Sequence, residues 1–223
     1  MGNLAIFDLD NTLLQGDSDV AWGDFLSERL PELTGAHYQQ QSAAFYEQYE
    51  QGTLDIHEYH RFVLAPIQQL SHHELATLHA DFMNTVIPPM VLPKAQARVN
   101  QHKTAGDITL IITATNSIVT QAIAPLFGVD VLMGTDPEQI NGKYTGKIAG
   151  TPCFQTGKID RLLSWIEAHH AQDASCLKHA YFYSDSRNDI PLLERVGNPV
   201  AVDPDATLRA HAESHQWPII SFR

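Results

Sequence analysis

A chain of 223 residues, 43% of them hydrophobic and 18% charged, can bury a full core and fits one domain with an insert or two small domains. Its formal net charge of -12 argues against nucleic acid and anionic membrane as partners, because both call for clustered Lys and Arg, but leaves room for a small anion at a local site. No apolar run approaches the roughly 18 residues of a membrane span, and the two cysteines, Cys153 and Cys176, offer neither a disulfide framework nor zinc spacing. Residues 4–9 are too short an apolar stretch for a signal peptide and are interrupted by Asp8. Ile6 also stands where a myristoylation motif opening Met1-Gly2 wants Ser or Thr, so a cytoplasmic protein is expected.

The first predicted element is a buried strand over 4–7, followed directly by Asp8-Leu9-Asp10-Asn11-Thr12. Period two sends Asp8 and Asp10 the same way off the strand end. Two adjacent carboxylates there repel unless a cation or a shared proton offsets them, which points to a Mg²⁺ site. Residues 18–86 are rich in Gln, His, Glu and Tyr, with apolar positions at helical spacing such as Leu26 and Leu30, or Tyr59, Phe62 and Val63; they read as a helical insert. Pro88, Pro89 and Pro93 then suit a hinge.

Beyond the hinge the chain alternates. Helices are expected over 94–104 (closed by Gly106), 118–127 (closed by Gly128), 158–171 and 190–195 (closed by Gly197). Strands are expected over 108–113, 129–133, 179–183, 199–202 and 218–222, with a hairpin over 139–148 turning at Asn141-Gly142. This is the βαβ rhythm of an α/β fold: a Rossmann-like, mainly parallel sheet core with helices on both faces, plus the inserted helices.

Three more clusters fall at predicted strand ends. Thr113-Ala114-Thr115-Asn116 brings a hydroxyl and a helix N-terminus together where an anion would sit, although such a hydroxyl can also be a plain cap. Lys158 opens a helix, the wrong end of the macrodipole for a cation, and so suggests a compensating anion. Ser184-Asp185-Ser186-Arg187-Asn188-Asp189 places two further carboxylates around an amide just after a strand.

In this order and spacing the chain resembles the haloacid dehalogenase superfamily, and within it the phosphatases with a helical cap after the first motif. Asp8, Asp10 and Thr12 match the Asp-x-Asp-x-Thr motif; Thr113 matches the second motif, Lys158 the third, and Ser184, Asp185, Asn188 and Asp189 the fourth, with Ser184 in place of the usual glycine. The resemblance implies a core domain over 1–16 and 87–223, a cap over 17–86 and a Mg²⁺ cofactor. It also implies a nucleophile in Asp8 and a general acid and base in Asp10. Asp8, Asp185 and the Asp10 carbonyl would hold the metal. Asp189 would act through water or by orienting Lys158, while Thr113 and the Asn188 amide would hold phosphate oxygens.

Substrate choice should lie in the cap. Asp17, nine residues after Asp8, matches an acidic position that contacts a substrate amine in similar phosphatases; Asp17 or Asp19 could equally cap the first helix. Trp22 could wall the substrate site or fill the cap core. The position where phosphoserine phosphatases carry a carboxylate-gripping arginine falls at Val63, with Arg61 two residues earlier. The chain therefore looks closer to the members assigned to histidinol phosphate, supported by Gly150-Thr151-Pro152-Cys153-Phe154-Gln155 and by Trp217-Pro218-Ile219-Ile220-Ser221. A small phosphorylated metabolite is the expected partner, in a monomer or homodimer. Phosphoserine or broad metabolite hydrolysis is the alternative, and a non-hydrolytic receiver-type switch is a remoter one, disfavoured by Asp10 and the insert. No metal is expected at the cap histidines His57, His60, His72, His73 and His79, since no third ligand accompanies the helical pair His57 and His60.

Overall fold

The computed structural model describes residues 2–30, 36–169 and 174–223. A six-stranded parallel sheet runs in the order β3-β2-β1-β6-β7-β8. Its strands are β1 (Leu4–Phe7), β2 (Ile108–Asn116), β3 (Val131–Thr135), β6 (Tyr181–Ser184), β7 (Asn198–Val202) and β8 (Ile219–Ile220). The antiparallel hairpin β4 (Pro137–Ile140) and β5 (Lys143–Ile148) stands apart from it. The chain builds outward from β1 in one direction through β2 and β3, then in the other through β6 to β8. The strand order therefore reverses between β1 and β6, and the crevice beyond their C-terminal ends is where an open α/β sheet binds ligands.

Period-two alternation sorts β1 between two cores. Ala5 and Phe7 join a cluster with Ile111, Tyr183 and the inserted helices, while Leu4 and Ile6 join Leu110, Ile112, Ile159 and Phe182 on the other face. Sheet-covering helices are α5 (Pro93–Ala105), α6 (Ser117–Phe127), α7 (Thr156–His169), α8 (Ile190–Leu193) and α9 (Ala206–Ser214). Gly106 at φ 82° and Gly128 at φ 61° end α5 and α6 in the left-handed region, as their positions predict.

Between β1 and α5 lie α1 (Ser18–Ser27), α2 (Ala36–Gln51), α3 (Ile56–Leu64) and α4 (His72–Thr85). A capping box between Ser71 and Glu74 starts α4. Trp22, Phe25 and Phe82 form an aromatic knot that joins α1 to α4, with ring centroids 5.0–5.6 Å apart. The hairpin lies against α3, and Asn141 at φ 52° with Gly142 at φ 76° makes its tight turn.

Boundaries differ from expectation where loop bonds outcompete the ladder. Asp130 is tied to Thr109, its carboxylate accepting from the Thr109 amide at 2.8 Å, so β3 begins at Val131 rather than 129. Residues 174–179 wind into a 3₁₀ turn, delaying β6 to Tyr181. Helix α8 is a single turn, and edge strand β8 keeps two residues. The expected end of α7, residue 171, lies outside the described residues. Among the described residues no helix is long and apolar enough to cross a membrane.

Candidate active site

The first functional loop is built by backbone bonds. The Asp8 amide donates to the Tyr183 carbonyl at 2.9 Å, extending the β1–β6 ladder by one residue. Leu13 and Leu14 then turn back onto the Leu9 carbonyl, and Asn11, at φ 55°, donates to Gly16. This tight turn sets Asp8 and Asp10 above the strand ends, facing the loops after β2 and β6.

A buried ion cluster occupies the crevice between β1 and β6. Lys158, in the first turn of α7 and 3% exposed, places Nζ 2.8 Å from Asp8 Oδ1 and 2.7 Å from Asp189 Oδ1. Burial works against the ammonium, but the Asp189 and Asp8 carboxylates outweigh it and raise the Lys158 pKa. Asp8 is pushed up to about 7 by burial, with Lys158 lowering and Asp189 and Asp10 raising it. Ser184 Oγ donates to Asp189 Oδ2 at 2.7 Å, so the serine that replaces the motif glycine steadies the carboxylate behind the lysine. Asp185 lies beside this cluster, its Oδ1 accepting from Thr12 Oγ1 at 3.0 Å while its own amide donates to the same hydroxyl. Burial, then the Asp8 and Asp189 charges, raise the Asp185 pKa well above the usual carboxylate range.

Asp10 is held separately from the lysine. Its Oδ1 accepts from the Ser18 amide at 2.6 Å, and its Oδ2 accepts from Thr115 Oγ1 at 2.7 Å and from Thr113 Oγ1 at 3.4 Å. Thr113 is 1% exposed and lines the same cavity as Asp8 and Asp10. The Asn188 amide reaches across to the insert, donating to the Tyr49 carbonyl at 3.0 Å and accepting from Gln155 Nε2 at 3.1 Å, so it braces the loop after β6 against α2.

Above these groups lies a cavity lined jointly by the loop after β1, the end of β2 and the inserted helices. Asp8, Asp10, Asp17 and Asp19 supply carboxylates to it, and the rings of Phe45, Tyr46, Tyr49 and Tyr59 line the insert side. Among the described residues, none lining it is Lys, Arg or His. Asp17 Oδ1 caps α1 by accepting from the amides of Asp19 and Val20, so the residue both caps the helix and borders the cavity. Asp19 is 4% exposed and accepts from Tyr59 Oη at 3.0 Å and from Asn116 Nδ2 at 2.8 Å. Burial first, then the Asp10 charge, push it up to about 7.

The wall reading of Trp22 is corrected: it is 2% exposed, locked between Phe25 and Phe82, and does not border the cavity. A large ring on the inward face of α1 gains more from burial in the helical core than from lining a wet pocket. Neither Val63, buried in the insert, nor the exposed Arg61, ion-paired with Glu58, reaches the cavity.

Comparison with known proteins places this geometry. The family model of haloacid dehalogenase-like hydrolases matches residues 5–194, a span that holds every motif above. The chain belongs to that family. It is 42% identical over 224 residues to the histidinol-phosphatase of Neisseria meningitidis serogroup C (strain 8013), covering all of both chains. A protein of unknown function from Bordetella pertussis Tohama I shares 40% identity at a TM-score of 0.91 over the full length of both. A substrate-bound phosphoserine phosphatase shares the fold at a TM-score of 0.71 and 15% identity, covering 100% of this chain and 94% of that one. The haloacid dehalogenase-like chain is thus an enzyme of the family's phosphatase branch, and the receiver-type reading falls away.

Three roles in this hydrolase were not anticipated: Thr115 at Asp10, Ser184 as a donor to Asp189, and Asp19 as a cavity-lining carboxylate. Thr115 lies two residues past Thr113 on β2, so the two-residue repeat of extended backbone was its signal, whereas Ser184 is itself a motif position and Asp19 sits in the first turn of α1. The donor set around Asp8 and Asp185 fits a hard dication. It is all oxygen, and burial and mutual repulsion raise both carboxylate pKa values, a cost that a bound cation would remove.

Proposed function

We propose that the chain hydrolyses phosphomonoesters with Mg²⁺ and an aspartyl-phosphate intermediate, acting on a small amine-bearing metabolite without a carboxylate, histidinol phosphate first. Asp8, Asp185 and the Asp10 carbonyl would hold Mg²⁺, which supplies charge neutralisation at the phosphoryl group. An Asp8 oxygen attacks phosphorus as the bond to the ester oxygen breaks. Asp10 gives its proton to the leaving alkoxide, then takes one from water as the water attacks phosphorus and the Asp8–phosphorus bond breaks. Lys158, held protonated, offsets charge on Asp8 and on the transferring group, and Thr113 donates to a phosphate oxygen. The division into a core over 1–16 and 87–223 and a cap over 17–86 belongs to the same reading: the insert covers the reacting groups and excludes water.

The observation that carries the substrate class is the cavity wall. Asp17 and Asp19 carboxylates beside phenol rings favour an ammonium or a heteroaromatic N–H, and among the described residues no basic side chain lines the cavity to pair with a substrate carboxylate. The full-length similarity to a histidinol-phosphatase supports the same choice. The test is phosphate release with Mg²⁺ from histidinol phosphate, phosphoserine, a sugar phosphate and an aryl phosphate. The reading expects kcat/KM for histidinol phosphate to exceed that for phosphoserine by at least about a hundredfold, as expected when an unpaired charge must be buried. Equal values, or a preference for phosphoserine, would overturn it.

A further inference from the structure

We propose that Glu194, His211 and His215 form a second metal site, for a transition-metal dication of the Zn²⁺ type, outside the cavity described above. His211 lies on α9 and His215 caps its C-terminus, four residues on, so both rings leave the same face one turn apart. The rings stack with centroids 4.1 Å apart. Glu194, at the end of α8, faces them, and one donor atom from each of the three residues lies within 4.8 Å of the others. None of the three lines the cavity over Asp8.

The second observation concerns His211 itself. Its Nε2 is buried and has no hydrogen-bond partner, although Glu194 Oε1 stands only 3.2 Å away. A buried ring nitrogen without a hydrogen bond is costly, and the Glu194 carboxylate stands at ion-pair distance from it without hydrogen-bonding alignment. Two ligands of a tetrahedral zinc ion, at bond lengths of about 2.0–2.1 Å, sit about 3.3 Å apart. The His211–Glu194 separation matches that spacing. His215 Nδ1 is held 2.9 Å from both the His211 carbonyl and Ser214 Oγ, a supporting arrangement of the kind that orients metal-bound imidazoles, and this leaves Nε2 as the ring's donor. Both Glu194 and His215 are exposed, so their side chains have room to turn toward a shared ion. Two imidazoles and one carboxylate suit Zn²⁺ and its neighbours, whereas Mg²⁺ prefers an all-oxygen set.

Such an ion would tie the C-terminal end of α9 to the end of α8. Trp217, whose ring lies 4.8 Å from His211 and 5.4 Å from His215, makes the site optically readable. The experiment titrates the full-length protein with Co²⁺, as a spectroscopic probe for the Zn²⁺ type, in saturating Mg²⁺. Visible absorption and tryptophan fluorescence are followed. The expected result is one equivalent of Co²⁺ bound with tetrahedral absorption and quenched fluorescence. His215→Ala and Glu194→Gln should each weaken that binding at least tenfold while leaving phosphate release unchanged, and Trp217→Phe should remove the quenching but keep the absorption. No tetrahedral species, or one that survives both His215→Ala and Glu194→Gln unchanged, would overturn the proposal.

Discussion

Thr115 Oγ1 donates to Asp10 Oδ2 at 2.7 Å, while Thr113, the residue of the family motif, stands farther from the same oxygen at 3.4 Å. With the Ser18 amide on Oδ1, this bond fixes the Asp10 carboxylate, which in the proposed mechanism points at the leaving oxygen to protonate it. Thr115→Val keeps the shape and removes the donor. We expect kcat for an alkyl phosphate to fall by about tenfold with little change in KM, and by much less for an aryl phosphate whose leaving group needs no proton. Steady-state kinetics on the two substrate types check this; equal losses on both would remove Thr115 from the acid step.

Ser184 is fully buried and serves two partners, donating to Asp189 and accepting from the Ser186 amide at 3.1 Å. Ser184→Ala takes the acceptor from the buried Ser186 amide and one donor from Asp189, which keeps its bonds to Lys158. The expected cost is about 1–3 kcal/mol of stability, read by urea unfolding, with a several-fold drop in kcat as Lys158 loses its steadied counter-ion. An unchanged unfolding midpoint would show that the hydroxyl contributes nothing.

Asp19 predicts a pH dependence. Its folded pKa is raised from 3.8 to about 7, by burial first and the Asp10 charge second. The folded protein therefore holds this proton more tightly than the unfolded chain. Its stabilising contribution is complete below the unfolded pKa and is lost as pH rises through the folded one. Asp19→Asn cannot titrate. Metal-free wild type should lose up to about 4 kcal/mol relative to the variant between about pH 4 and pH 8, measured as paired urea unfolding curves across that range. Parallel stabilities would contradict the assignment.

Much of this was legible in the chain. The strand 4–7, the carboxylates after it, Lys158 and the Ser184–Asp189 string were readable because period, turn chemistry and spacing are local properties. The helix ends at Gly106 and Gly128 were readable for the same reason, since only a left-handed residue closes them that way. Long-range choices were not. Whether Trp22 faced a ligand or a core depended on Phe82, sixty residues away in α4. Asp19 was legible only as a possible helix cap because its partners, Tyr59 and Asn116, come from α3 and the end of β2. The cluster of Glu194 with His211 and His215 likewise exists only once α8 and α9 have docked.

The most direct test of covalent catalysis at Asp8 uses Asp10→Asn with an aryl phosphate. Transfer to Asp8 then needs no acid, whereas hydrolysis of the intermediate still needs the base that has been removed. Rapid acid quench followed by peptide mass spectrometry should find a phosphoryl group on Asp8, with a burst of aryl alcohol of about one equivalent per site. Turnover of the aryl phosphate with Asp8 unmodified, or with the label on another residue, would contradict the account.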